Sequence, residues 1–278
     1  MNNRLQGFEK ENPENVEHPT TFMASPQARP NTKITPREFI FIAYAFARNW
    51  TYKEVKLYSR TEFSFSKPTW VDWNHYLRRV ININRAFLPK IGGVGVNVQI
   101  TYNESLFRGR RKNHVGRMLQ GDWGRDARAQ NYGNRIDGPW IVGMRDSNRS
   151  VRLFFVRNRS AETLIPLIRA VVEPSSEIHT DGSYAYAGLG RAAWDDGQLP
   201  FIHKIVNHSE EFVAPSGAHT QAIERVWTDI KINFIKVKRS TSKELFHEHI
   251  AYYEWTLNVP YEKRFRSITY LSGRVNNG

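Results

Sequence analysis

The spacing of apolar residues along this chain changes near residue 94, and that break limits what the chain can fold into. Upstream, apolar side chains recur at helical intervals. Downstream, Val94, Val96, Val98 and Ile100 alternate with Gly95, Asn97 and Gln99, up to Thr101-Tyr102. Side chains repeat every 3.6 residues along a helix and every 2 along a strand. The pattern therefore predicts a helical part followed by a part built on a sheet, with residues 94–102 forming a strand that buries one face.

In the helical part, Thr35-Pro36-Arg37-Glu38 has the makings of a helix start. Thr35 can cap, Pro36 suits the first position, and Glu38 completes a capping box before the apolar run to Trp50. A second short helix fits Thr51 to Tyr58, with Val55 and Leu57 as its buried candidates. A third opens at Ser66-Lys67-Pro68 and puts Trp70, Trp73, Leu77 and Val80 on one stripe. Three short helices, the last aromatic and basic, suit a helix-turn-helix DNA-binding domain over residues 34–90. Residues 1–33 show no apolar periodicity and read as a disordered tail. The part from 94 to 258 runs strand, basic segment, two strands (Trp140 to Arg145, Val151 to Val156), then a helix. Pro166 pushes the start of that helix towards Thr163. Short strands at Glu177–Thr180 and Lys204–Asn207 follow, then helices from Thr220 and Thr241, which together predict an α/β domain with a mixed sheet and flanking helices. Residues 259–278 read as a basic tail with Lys263, Arg264, Arg266 and Arg274.

Composition narrows the chemistry. With 278 residues and 40% hydrophobic content there is material for a real core. The absence of cysteine excludes disulfides, thiol catalysis and thiolate metal sites. The longest apolar run, Phe39 to Ala47, falls well short of the roughly 20 residues of a membrane span. The polar N-terminus shows no secretory pattern, so an intracellular protein without a membrane partner is expected. Lys plus Arg is 40 against 27 Asp plus Glu, a net charge of +13, which favours a polyanion as partner. Residues 108–135 hold eight Arg or Lys against two Asp, with Trp123 and Tyr132 between them. Arginine forks grip phosphates and aromatics stack on bases, so DNA contact is expected at Arg108, Arg110, Arg111, Lys112 and Arg117. Further contact is expected from helix 3 at Lys67, Arg78 and Arg79.

Asp181 closes a buried strand and is followed by Gly182, a position open either to a metal ligand or to a turn cap. In the helix from Thr220 the core stripe is Ile223, Val226, Trp227, Ile230 and Phe234. Glu224 and Lys231 lie seven residues apart on its flank, either facing a cleft or sitting on a solvated face. His203, His208, His219, His247 and His249 form no H-E-x-x-H pattern, so zinc is not expected.

YNESLFRGRRKNHVGR (from Tyr102), HTDGSYAY (from His179), VNHSEEFV (from Val206) and HTQAIERVWTDIK (from His219) together resemble the Merlin-type DDE transposases and their bacterial insertion-sequence relatives. The similarity runs in order over residues 37–257. It implies an RNase H-like fold, DNA cleavage and strand transfer, and two Mg²⁺ or Mn²⁺ held by three acids. By position Asp181 corresponds to the second acid, Glu224 to the third and Lys231 to the lysine after it. The first acid belongs in a D-E-[ST]-L pattern, but this chain reads Asn103-Glu104-Ser105-Leu106.

Asn offers a neutral oxygen and cannot offset metal charge. A loss of about 4 kcal/mol of transition-state stabilisation would slow cleavage roughly a thousandfold. Glu104 is the obvious substitute ligand, yet alternation along the strand turns it to the opposite face from residue 103. The resemblance therefore implies a degenerate or domesticated transposase that binds DNA and cleaves it poorly; the alternative is an active enzyme. A dimer or higher multimer, and a nuclear location in a eukaryote, also follow from the resemblance alone.

Overall fold

The computed structural model describes residues 34–59, 62, 63, 65–103, 109–112, 132–136, 140–156, 158–190, 201–206, 219–235 and 243–276. The chain divides into two compact units, one of residues 1–81 with 261–278 and the other of residues 82–260.

Helices α1 (Pro36–Ala47), α2 (Tyr52–Ser59) and most of α3 (Lys67–Asn84) lie in the first unit. Thr35 caps α1: its hydroxyl accepts the Glu38 N–H and the Glu38 carboxylate accepts the Thr35 N–H. Trp70, Trp73, Leu77 and Val80 are buried at the predicted spacing, with Phe39 against Trp73 at 5.2 Å. Leu57 is the exception at 64% exposed, because α2 is short and buries only Val55 and Ser59.

The segment read as a basic tail instead continues from a turn at Tyr261–Lys263 into a helix, Arg264–Asn276. Phe265, Ile268, Leu271 and Ser272 form an inward stripe that the charge of the segment obscures, with Ile268 fully buried. Lys263, Arg266 and Arg274 are exposed around it.

The second unit is a mixed α/β structure. Its strands are β1 (Ile91–Gly92), β2 (Asn97–Asn103), β3 (Gly109–Lys112), β4 (Tyr132–Ile136), β5 (Trp140–Asp146), β6 (Val151–Val156), β7 (Val172–Glu173), β8 (Glu177–Asp181) and β9 (Ile202–Val206). Five of them form the main sheet in the order β6-β5-β2-β8-β9. The first three are antiparallel neighbours, while β2, β8 and β9 run parallel. β3 and β4 pair as a separate antiparallel ribbon.

The helices of this unit are α4 (Ala161–Val171), α5 (Gln221–Asp229) and α6 (Lys243–Asn258), and the helix 264–276 of the first unit is α7. One sheet face (Val98, Ile100, Val142, Met144, Ile178) packs with Leu164, Leu167 and Ile168 of α4. The other (Ile141, Val151, Leu153) packs with Ile223, Val226 and Trp227 of α5 and Phe246 and Ile250 of α6.

Three local expectations need correction. β2 begins at Asn97, because Gly93 and Gly95 take left-handed φ of 116° and 75° and throw Val94 into a turn, 87% exposed. β2 also buries both faces, since Gln99 and Thr101 are each only 3% exposed. Its alternation reflects polar groups that serve a helix rather than water. Pro166 lies well inside α4, which starts at Ala161. The first turn there is held by Asn158, whose side-chain oxygen accepts the Ser160 N–H and the Ser160 and Thr163 hydroxyls.

Candidate active site at the ends of the central strands

Parallel neighbours β2 and β8 align Gln99 with His179 and Ile100 with Thr180. One step further sets Thr101 beside Asp181, with position 103 two residues on at the same end of the sheet. In a parallel pair, residues in register share a face. Gln99, Thr101, position 103, His179 and Asp181 therefore belong to the face that α5 covers. The helix bearing Glu224 thus lies on the same side of the sheet as Asp181 and residue 103. Residue 104, the expected substitute ligand, lies outside the described residues.

Asp181 is half-buried, and its Oδ1 accepts the Ser183 N–H at 3.2 Å. It does cap its turn. A carboxylate offers about four acceptor positions, so capping and ion ligation are compatible roles. Glu224 is exposed in α5, its N–H bonded to the Thr220 carbonyl at 3.1 Å. Lys231 is exposed as well, but the backbone is π-helical over Ile230–Ile235. Only the last steps between Glu224 and Lys231 fall in that wider turn, so their angular offset changes little from that of a regular helix. Among the described residues, no three His, Asp or Glu side chains are grouped as a metal centre.

Around these groups lies a network of buried polar side chains. The His179 ring is 2% exposed and its Nε2 lies 2.7 Å from Glu177 Oε1, so Nε2 carries a proton towards that carboxylate. Lys204 Nζ meets the other Glu177 oxygen at 2.8 Å. Lys204 and His179 together hold the Glu177 carboxyl below the usual carboxylate range. On the opposite face, His203 Nε2 reaches the Thr180 hydroxyl at 2.8 Å, and burial holds that imidazole below its ordinary value. By sequence the histidines were weighed only as zinc ligands, and Gln99 was given no role. The available signal was a long polar side chain in the middle of the central strand.

Of the residues expected at DNA, Lys67 is exposed at the start of α3, whereas Arg78 and Arg79 are partly buried further along it, each with an interaction partner. Residues 110, 111 and 112 belong to the ribbon strand β3; residues 108 and 117 lie outside the described residues. No helix among the described residues is long and apolar enough to cross a membrane.

Among solved structures, the chain is similar to the Drosophila P element transposase strand transfer complex at 11% identity and a TM-score of 0.32. That alignment covers 88% of this chain and 65% of that one, so the chain spans about two-thirds of the other's length. It is also similar to the Mos1 strand transfer complex at 14% identity and a TM-score of 0.27, covering 89% and 78% of the two chains. No curated protein matches the sequence. Residues 99–258 match the ISXO2-like transposase domain, an interval that opens at Gln99 in β2, takes in Asp181 and Glu224, and closes at the last residue of α6. That interval is more than half of the 278 residues, and the chain belongs to the ISXO2-like transposase family.

Proposed function

We propose that this protein is a Merlin-type, transposase-derived DNA-binding protein whose metal-dependent strand cleavage is impaired at one position. Three antiparallel strands followed by two parallel ones, with helices on both faces, support an RNase H-like reading of the sheet. The observation that carries the proposal is the residue at position 103. It ends the central strand, two residues past the position level with Asp181, and it is asparagine.

Asp181 and Glu224, with a neutral oxygen from residue 103, would make an all-oxygen donor set of the kind that suits Mg²⁺ or Mn²⁺. Two negative charges fit one such ion better than two. When bound, the ion would supply Lewis-acid stabilisation at a phosphoryl group. Lys231, exposed in the π-helical turn that follows that helix, is available to a phosphate oxygen. The basic residues 108–135 supply sequence-independent affinity, and α3, as the third helix of a helix-turn-helix domain, supplies sequence preference. The protein acts on DNA as a dimer or higher multimer, in the nucleus if its source is a eukaryote.

A nicking and strand-transfer assay in Mg²⁺ or Mn²⁺, comparing the natural protein with Asn103→Asp, tests this. Cleavage by the Asp version on the order of a thousandfold faster supports a site disabled at one residue. Efficient cleavage by the natural protein, abolished by Asp181→Ala, would establish an active transposase instead. If neither cuts, binding that weakens steeply with salt still marks a DNA-binding protein, and its absence rejects the proposal.

A further inference from the structure

We infer that Gln99 is a positioning residue that sets where Glu224 stands relative to the strand ends, an inference that rests on the metal-dependent reading above. The helix that bears Glu224 lacks an ordinary cap. Thr220 sits at the cap position with φ −122° and ψ 11°, and its side chain makes no capping hydrogen bond. Gln99, from the centre of the sheet, takes over. Its Oε1 accepts the N–H groups of Ala222 at 2.9 Å and Ile223 at 3.2 Å, the second and third residues of α5. First-turn amides have no partner within their own helix, so this is a cap supplied from another element.

The orientation of the Gln99 amide is fixed from both ends. Only its oxygen can meet two N–H donors, and its Nε2 lies 3.0 Å from His219 Nδ1, which must accept. The backbone of His219 is held in turn: its N–H and its carbonyl oxygen each lie 3.3 Å from His179 Nδ1. Arg145, opposite Gln99 in the β2–β5 register, donates to the Ala222 carbonyl at 2.8 Å. Adjacent strands thus grip the first helical turn by both its N–H and its C=O groups.

Glu224 is the next residue after the two amides that Gln99 holds. Gln99 itself lies on the same strand and face as position 103, four residues earlier, and in register with the residue two before Asp181. One buried side chain therefore ties the central strand to the helix that brings the third acid. A ligand set is useful only if its members keep their separation, and groups held by supporting hydrogen bonds tune affinity through that separation.

The test uses the full chain and MnCl₂ as probe. Mn²⁺ affinity, amide hydrogen exchange over residues 221–229 and thermal unfolding are followed in the natural protein, Asp181→Ala, Gln99→Ala and Gln99→Glu. The expected result is Mn²⁺ binding that Asp181→Ala abolishes and Gln99→Ala weakens by about tenfold, with faster exchange at Ala222 and Ile223. Gln99→Glu, which can still accept both amides, should recover protection and most of the affinity. Unchanged exchange in Gln99→Ala overturns the inference, as does faster exchange with unaltered Mn²⁺ affinity, which would leave Gln99 a structural cap only. Identical Mn²⁺ titrations for the natural protein and Asp181→Ala reject the metal reading itself, and this inference with it. If Gln99→Ala does not fold, His219→Ala, which releases the Gln99 amide from one end, should lower Mn²⁺ affinity in the same direction; no fall overturns the inference.

Discussion

The Trp227 indole N–H donates to the Thr101 hydroxyl at 2.7 Å, joining α5 to the central strand across 126 residues of sequence. Both groups are buried, Trp227 at 2% and Thr101 at 3% exposed, so neither can exchange its partner for water. Thr101→Val keeps the volume and strands the indole N–H, at a cost of about 1–3 kcal/mol. Trp227→Phe loses the bond and some packing, and should cost about 2–4 kcal/mol. Denaturant unfolding of the double mutant should show the two costs to be less than additive, since either change alone breaks the same bond. Additive costs would mean the bond contributes nothing.

Gly143 lies opposite Thr101 in the β2–β5 register and under the same tryptophan. A Cβ there would stand 2.6 Å from Trp227 Cζ2 and 3.0 Å from Ile223 Cδ1. No ordinary contact is that short, so Gly143→Ala must push α5 away from the sheet. The expected loss is about 1–3 kcal/mol. In a Trp227→Phe background the same substitution should cost less, because the nearest atoms it meets, those of the indole, are gone while only Ile223 Cδ1 remains. Equal costs in the two backgrounds would show that the helix does not rest on this glycine.

Arg85 and Glu254 form a largely buried ion pair at 2.9 Å, with side chains 18% and 2% exposed. The Glu254 carboxylate also accepts the Leu153 N–H at 2.7 Å, and Arg85 donates to the Leu153 carbonyl, so the pair clamps strand β6. Glu254→Ala leaves a guanidinium without its partner in a largely dry place, and should destabilise by about 3–5 kcal/mol. Replacing both residues, Arg85→Met with Glu254→Leu, removes the unpaired charge and should cost less than Glu254→Ala alone. A double mutant weaker than the single one would contradict this.

His203 gives the fold a pH dependence of definite sign. The single proton of the Thr180 hydroxyl goes to the Asp181 carbonyl at 2.9 Å, so His203 Nε2 must donate to Thr180. Burial keeps the imidazole below its ordinary value of 6.5, and as pH falls the unfolded chain therefore takes up the proton first. The stability contributed by neutral His203 is complete above about pH 6.5 and is lost as pH falls from there through the depressed folded value. Thermal unfolding between pH 7.5 and 5.5 should show a smaller decline in His203→Gln than in the natural protein. Equal declines would assign the dependence to other groups.

Much of the fold was legible because it is written in local pattern. The capping box at Thr35, the stripe from Trp70 to Val80, and strands β5 and β6 depend on neighbours in sequence, and the structure has them where period and caps put them. Asp181 was legible for the same reason, as an acid closing a short buried strand before a glycine. The misreadings share a different cause. Leu57 was assigned to a core that its two-turn helix is too short to give it, and the basic charges of residues 263–274 hid an inward stripe at Ile268.

What the sequence determined by itself was the inventory: two kinds of unit, an acid at a strand end, a glutamate on an amphipathic helix, and an asparagine at residue 103. Only the tertiary structure decided how these are held. Register between parallel strands puts position 103 and Asp181 at one end and on one face, and Gln99 and Thr101 of β2 bond a helix more than 120 residues away. Such pairings have no signature in local periodicity. They arise because a buried amide or hydroxyl must find a partner, and which partner lies within reach is fixed only once the sheet has closed and the helix has packed upon it.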